Sequence, residues 1–66
     1  MIIYKDVLQK LKDAGYTTTR LRREKILPES TLTKLRNNQP VSTETIGLIC
    51  KLTKLQPADL MEYHPD

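Results

Sequence analysis

The sequence predicts an all-α fold, a compact bundle of five short helices in 66 residues. Three observations predict it. Apolar residues recur at helical spacing, the periodic segments are bounded by Thr, Ser, Asn, Gly or Pro, and the connections between them are only a few residues long. No stretch alternates as a half-buried strand would, and the chain has no internal repeat and no low-complexity linker.

The first helix is expected over about residues 2–14, with Ile3, Val7 and Leu11 on one face, Tyr4 and Leu8 beside them, and Lys5, Asp6, Lys10, Lys12 and Asp13 elsewhere. Gly15 suits a left-handed cap. Thr17 or Thr18 can cap a second helix, about 18–25, through its hydroxyl. Leu21 alone is apolar there, so Arg20, Arg22 and Arg23 must spread over the exposed side. Ile26 and Leu27 form a short connection. Pro28 opens a third helix, about 28–37, at the position where its missing N–H costs least. Asn37-Asn38 can end that helix in a left-handed conformation, and Pro40 prevents continuation. Ser42 or Thr43 caps a fourth helix, about 43–54, with Ile46, Ile49 and Cys50 inward and Glu44 favourably placed in the first turn. Gln56-Pro57-Ala58-Asp59 starts a fifth, about 57–62, carrying Leu60 and Met61. The tail from Tyr63 to Asp66 is expected to fray.

Composition narrows the functions. Phe and Trp are absent and there are three Tyr, so the core is aliphatic and leaves little volume for a substrate pocket. The single cysteine, Cys50, excludes an intrachain disulfide, and at helical spacing from Ile46 and Ile49 it reads as a small core residue. With His64 as the one histidine, no ligand set for a metal and no nucleophile–base pair is visible. Neither an enzyme nor a cofactor is expected. Apolar stretches such as Ile46–Cys50 are far too short to span a bilayer, and Lys5 and Asp6 stand where a signal peptide needs its apolar region. A soluble cytoplasmic protein is expected.

The net charge is +3, and its distribution matters more than its sum. Residues 1–16 carry three Lys against two Asp, residues 17–39 six Lys and Arg against two Glu, and residues 40–66 two Lys against four acids. A basic middle third attracts a polyanion through Coulomb forces and counterion release. An acidic protein partner would also satisfy it. At 100° per residue Leu32 and Leu35 fall together on the third helix, while Ser30, Thr33, Lys34 and Asn37 recur on the other side without an acid among them. Such a face suits a DNA major groove, where base edges demand donors and acceptors and phosphates demand positive charge. It also suits simple solvation of a surface helix.

The segments Thr18-Thr-Arg-Leu21, Glu29-Ser-Thr-Leu32-Thr-Lys-Leu35-Arg-Asn-Asn-Gln-Pro40-Val-Ser-Thr-Glu-Thr-Ile46-Gly-Leu-Ile49-Cys50 and Pro57-Ala-Asp-Leu60-Met-Glu-Tyr63 resemble the Cro/phage-repressor (XRE-like) helix-turn-helix domain, in its small stand-alone bacterial form. The resemblance runs from about Thr17 to Tyr63. It implies a lambda-repressor-like five-helix DNA-binding transcription factor, often a dimer on a two-fold operator, with residues 28–37 as the recognition helix. Carried over position by position, base reading falls on the start of that helix, with Glu29, Ser30, Thr33 and Lys34 as candidates. Glu29 could instead complement the positive end of the helix. Thr17, Thr18, Arg20, Arg23, Arg36, Asn37 and Gln39 are the candidate phosphate contacts.

The chain departs from the family pattern at several places. Arg22 stands where a small residue is usual, Ile26 where the turn usually has glycine, Asn38 where a glycine usually follows the third helix, and Thr53 where another aliphatic residue is common. A β-branched residue at positive φ would cost about 1 kcal/mol or more, so the turn at Ile26 is expected to take another geometry. Two other functions compete with sequence-specific DNA reading. One is a protein-interaction module on the same fold, such as an antitoxin or regulator subunit, and the other is a nonspecific nucleoid-type binder. Tyr4, Tyr16 and Tyr63 are spread along the chain and not grouped on the basic segment, which disfavours single-strand or RNA binding.

Overall fold

The computed structural model describes residues 1–65. Its elements run β1 (Ile2–Tyr4), α1 (Val7–Asp13), α2 (Thr18–Arg23), α3 (Glu29–Arg36), α4 (Thr43–Thr53), α5 (Pro57–Leu60) and β2 (Met61–Tyr63). The fold is a small helical bundle to which a minor two-stranded antiparallel ribbon is added.

The bundle closes over Val7, Leu11, Leu21, Leu27, Leu32, Leu35, Ile46, Ile49 and Leu60, with no buried polar side chain among the described residues. Cys50 is half-buried against this cluster. α1 packs against both α3 and α4, and α5 packs on α4 before running straight into β2. Leu21 is the buried residue of α2, so that helix is fastened by one side chain.

Helix ends account for much of the local geometry. After α1, Gly15 takes φ +94°, with its N–H on Lys12 C=O (2.9 Å) and the Tyr16 N–H on Leu11 C=O (2.8 Å). This is a Schellman closure, in which a left-handed residue lets two orphan carbonyls be satisfied. Asn38 does the same after α3 at φ 56°, with the Gln39 N–H reaching Lys34 C=O at 2.8 Å. At the start of α4, Ser42 Oγ accepts from the Thr45 N–H at 3.1 Å and is the cap. Thr53 closes the same helix by donating its hydroxyl to Ile49 C=O at 2.7 Å, which is how a polar residue is accommodated where an aliphatic one is common. For α5, Asp59 Oδ2 accepts from the Gln56 N–H at 2.9 Å.

The ends of the chain differ from expectation. The helix expected over 2–14 is split: residues 2–4 are β1, Asp6 turns the backbone at φ 51°, and α1 starts only at Val7. The helix expected over 57–62 likewise stops at Leu60, because Met61–Tyr63 is β2 and pairs Ile2 with Tyr63, Ile3 with Glu62 and Tyr4 with Met61. Three β-branched or aromatic residues in a row gain a cross-strand partner here that no local helix could offer. Tyr63 and His64 therefore do not fray: the His64 N–H donates to Met1 C=O at 2.8 Å. His64 Nε2 also lies 2.9 Å from Glu62 Oε1, and that hydrogen bond holds the Glu62 carboxyl below its usual range.

Asn38 joins the ribbon to the bundle. Its Oδ1 accepts from the Tyr4 N–H (2.9 Å) and its Nδ2 donates to Ile2 C=O (2.8 Å), so one carboxamide takes the place of a strand on the outer edge of β1. The Tyr4 hydroxyl donates to Gln39 C=O at 2.8 Å beside it.

These contacts separate two roles of Asn38 by substitution. Asn38→Gly keeps the left-handed backbone and loses the carboxamide, and is expected to destabilise by about 1–2 kcal/mol. Asn38→Ala should lose roughly 1 kcal/mol more, because alanine resists positive φ. Urea denaturation of the three chains measures both steps, and equal stability of the Gly and Ala variants would contradict the backbone role.

Candidate nucleic-acid interface

α2 and α3 are joined by a tight turn whose strain is not where the sequence placed it. α2 ends in a Schellman closure with Lys25, not Ile26, in the left-handed region at φ 55°. The Lys25 N–H bonds Arg22 C=O (3.1 Å) and the Ile26 N–H bonds Leu21 C=O (2.9 Å). Ile26 is thus free to follow the cap and pack half-buried against the core, so no β-branched residue is strained. Leu27 is buried, and Pro28 is the residue before α3 (φ −71°, ψ 158°), not its first helical residue as expected.

α3 buries Leu32 and Leu35. Ser30, Lys34 and Asn37 are exposed on the opposite side and Thr33 is half-buried, so the predicted polar stripe does face outward. Glu29 lies at the first turn of α3, where a carboxylate complements the helix N-terminus.

The acids and arginines of the two helices form linked ion pairs. Glu29 sits between Arg22 of α2 (3.3 Å) and Arg36 of α3 (3.4 Å), spanning the turn. Glu24 holds Arg20 at 2.9 Å and lies 3.9 Å from Arg23. Arg20 is engaged further: its Nη1 donates to Gly15 C=O at 2.9 Å, and its guanidinium lies 4.5 Å from the centroid of the Tyr16 ring. That cation–π contact and hydrogen bond tie α2 to the end of α1. Arg23 has the loosest pair, with 71% of its side chain exposed. Lys25 and Lys34 make no ion pair among the described residues. Both project from exposed positions of the turn and of α3.

The remaining candidates divide by what holds them. Thr17 is the N-cap of α2, accepting from the Arg20 N–H at 3.2 Å, and Thr18 is half-buried in the first turn. Asn37 and Gln39 are exposed beyond the end of α3. Sequence reasoning missed Lys25, the left-handed residue that follows the Glu24 C-cap of α2, because it ran that helix to about residue 25. It also left Arg22 unexplained, although Glu29 lies close in sequence with the opposite charge.

Residues 7–66 match the Cro/C1-type HTH DNA-binding domain, and the chain belongs to that family. The match begins at α1 and leaves β1 outside it. Comparison with curated proteins and with solved structures gives no significant match.

Glu24, Glu29 and the four arginines paired with them are all exposed, so the pairs orient side chains more than they hold the fold. A double-mutant cycle with Arg22→Ala and Glu29→Ala is expected to give a coupling of about 0.2–1 kcal/mol, read by urea denaturation and shrinking at high salt.

Proposed function

We propose that the chain is a sequence-specific double-stranded DNA-binding transcriptional regulator that lays α3 in the major groove. The observation that carries this is the outer face of α3, where Ser30, Thr33 and Lys34 point away from the core and Lys34 has no competing ion pair among the described residues. Ser30 and Thr33 offer hydroxyls to base edges, the Thr33 methyl suits the thymine methyl, and Lys34 reaches a guanine edge or a phosphate. Glu29 acts as a brace that sets Arg22 and Arg36 at the rim of the groove, in preference to reading a cytosine itself.

Thr17 and Thr18 with the first amides of α2, Arg23, Arg36, Asn37 and Gln39 make the phosphate contacts. Lys25 joins them from the turn. Arg20 contributes to the field while its guanidinium fastens α2, since a phosphate would have to displace both Glu24 and Gly15 from it. The protein works in the cytoplasm on the nucleoid, as a homodimer on two half-sites about 34 Å apart, because one such domain buries too little surface for useful affinity.

Selection from a random duplex pool, followed by titration of the recovered duplex over a salt series, tests this directly. One enriched motif and affinity falling steeply with salt are expected. Equal affinity for all duplexes indicates a nonspecific binder, and a stoichiometric protein complex without any enriched sequence indicates an interaction module. Lys34→Ala should weaken the selected duplex by roughly 5- to 150-fold and relax preference at one position if Lys34 reads a base. A uniform loss on all duplexes, with a salt slope smaller by about one, would assign it to a phosphate.

A further inference from the structure

The exit of α3 is held by a segment that contributes no fully buried side chain. No residue of β1 belongs to the buried cluster, and Tyr4 packs half-buried at its edge. The polar groups of β1 reach residues 38 and 39 instead. The Tyr4 N–H donates to Asn38 Oδ1 at 2.9 Å, Asn38 Nδ2 donates to Ile2 C=O at 2.8 Å, and the Tyr4 hydroxyl donates to Gln39 C=O at 2.8 Å. The Gln39 N–H donates in turn to Lys34 C=O at 2.8 Å. The main chain of Gln39 is thus bonded to α3 through its N–H and to β1 through its C=O, and Pro40 behind it keeps it out of the helical region.

The side chains flanking this anchor are unengaged. Asn37 and Gln39 are exposed, and neither carboxamide has a hydrogen-bond partner among the described residues. Two features mark the arrangement as this chain's own. Asn38 stands where a glycine usually follows the third helix, and the match to the Cro/C1-type domain begins at residue 7, which leaves β1 outside it. Glycine there would let the chain turn but would hold nothing. An exposed carboxamide gains little from a phosphate when the backbone carrying it must be ordered at the moment of contact, because the entropy lost offsets the new hydrogen bond. Bonds that order residues 38 and 39 in the free protein remove that cost before DNA arrives.

We propose that β1 is a positioning strand for DNA binding: through Tyr4 and Asn38 it sets the main chain at the exit of α3, so that the Asn37 and Gln39 side chains meet the phosphates beside the groove already ordered. This role rests on the DNA-binding function above and gives it a residue, Tyr4, that acts through Gln39 without touching DNA. α3 is then restrained at both ends, by the turn and the Arg22–Glu29 pair at its start and by β1 at its exit. Phosphates carry no sequence, so the effect falls on affinity for every duplex and leaves the preferred motif unchanged.

Tyr4→Phe keeps the ring and the strand and loses one hydrogen bond. Titration of the selected duplex and of a scrambled duplex, at a temperature where circular dichroism shows each chain folded, is expected to show binding weakened by about 3- to 10-fold on both. Asn38→Gly, which keeps the left-handed backbone, should weaken both at least as much. In a chain carrying Asn37→Ala and Gln39→Ala, Tyr4→Phe should change affinity by less than about twofold, while its effect on stability in urea should be the same with or without those alanines. General support of the fold would give equal losses of affinity in the two backgrounds. Duplex binding that Tyr4→Phe leaves intact, a loss of the same size in the double-alanine chain, or a loss confined to the selected duplex would overturn the positioning role while DNA binding itself stands. A wild-type chain that binds no duplex would overturn both.

Discussion

The carboxamide of Asn38 is the polar constraint on which the arrangement of the bundle depends. Its backbone ends α3 in the left-handed region, and its side chain bonds both outward groups of β1. β1 in turn fixes β2, and β2 continues directly from α5, whose Leu60 is buried in the core. The far end of α3 is thereby connected to both ends of the described chain through two hydrogen-bonded steps, Asn38 to β1 and β1 to β2. Asparagine suits this place as glycine would not, since it tolerates positive φ and also carries an acceptor and a donor side by side.

Holding and orienting are divided between different groups. The aliphatic cluster supplies the holding, at roughly 1.5–3 kcal/mol for each fully buried Leu or Ile side chain. The exposed arginines and glutamates supply direction, at well under that per pair. α2 shows the division most clearly. Leu21 fastens it to the core, while Arg20 on Gly15 and Tyr16, and Arg22 on Glu29, restrict how it can swing about that point. Between α2 and α3 the Arg22–Glu29 pair thus adds a weak, water-accessible restraint to the one made by the turn and the buried leucines.

α3 and α4 were legible in the sequence because each has enough turns to express its period, whereas the short α2 and α5 were legible from the residues that start them. Leu32 with Leu35, and Ile46 with Ile49, fall inward as their spacing requires. The ribbon was not legible, since three residues satisfy a period of two or of 3.6 equally well and its partner strand lies at the other end of the sequence. The turn was half legible. Its tightness followed from its length, but the left-handed position moved by one residue because α2 ends at Arg23. At the candidate interface, the outward face of α3 followed from periodicity alone. The linked pairs of Glu24 and Glu29 did not, because they depend on how two helices meet.

Lys25 occupies a left-handed position where the backbone would rest more easily on glycine, yet it holds one of the two cations without an ion pair among the described residues of α2, the turn and α3. Glycine there would relax the turn by a fraction of what the whole domain has to spare, and would remove a positive charge from the turn that leads into α3. The turn is therefore a point of opposed selection, where thermostability and polyanion attraction favour different residues. Variants ranked for heat resistance and variants ranked for retention on a polyanionic matrix should diverge first at this residue.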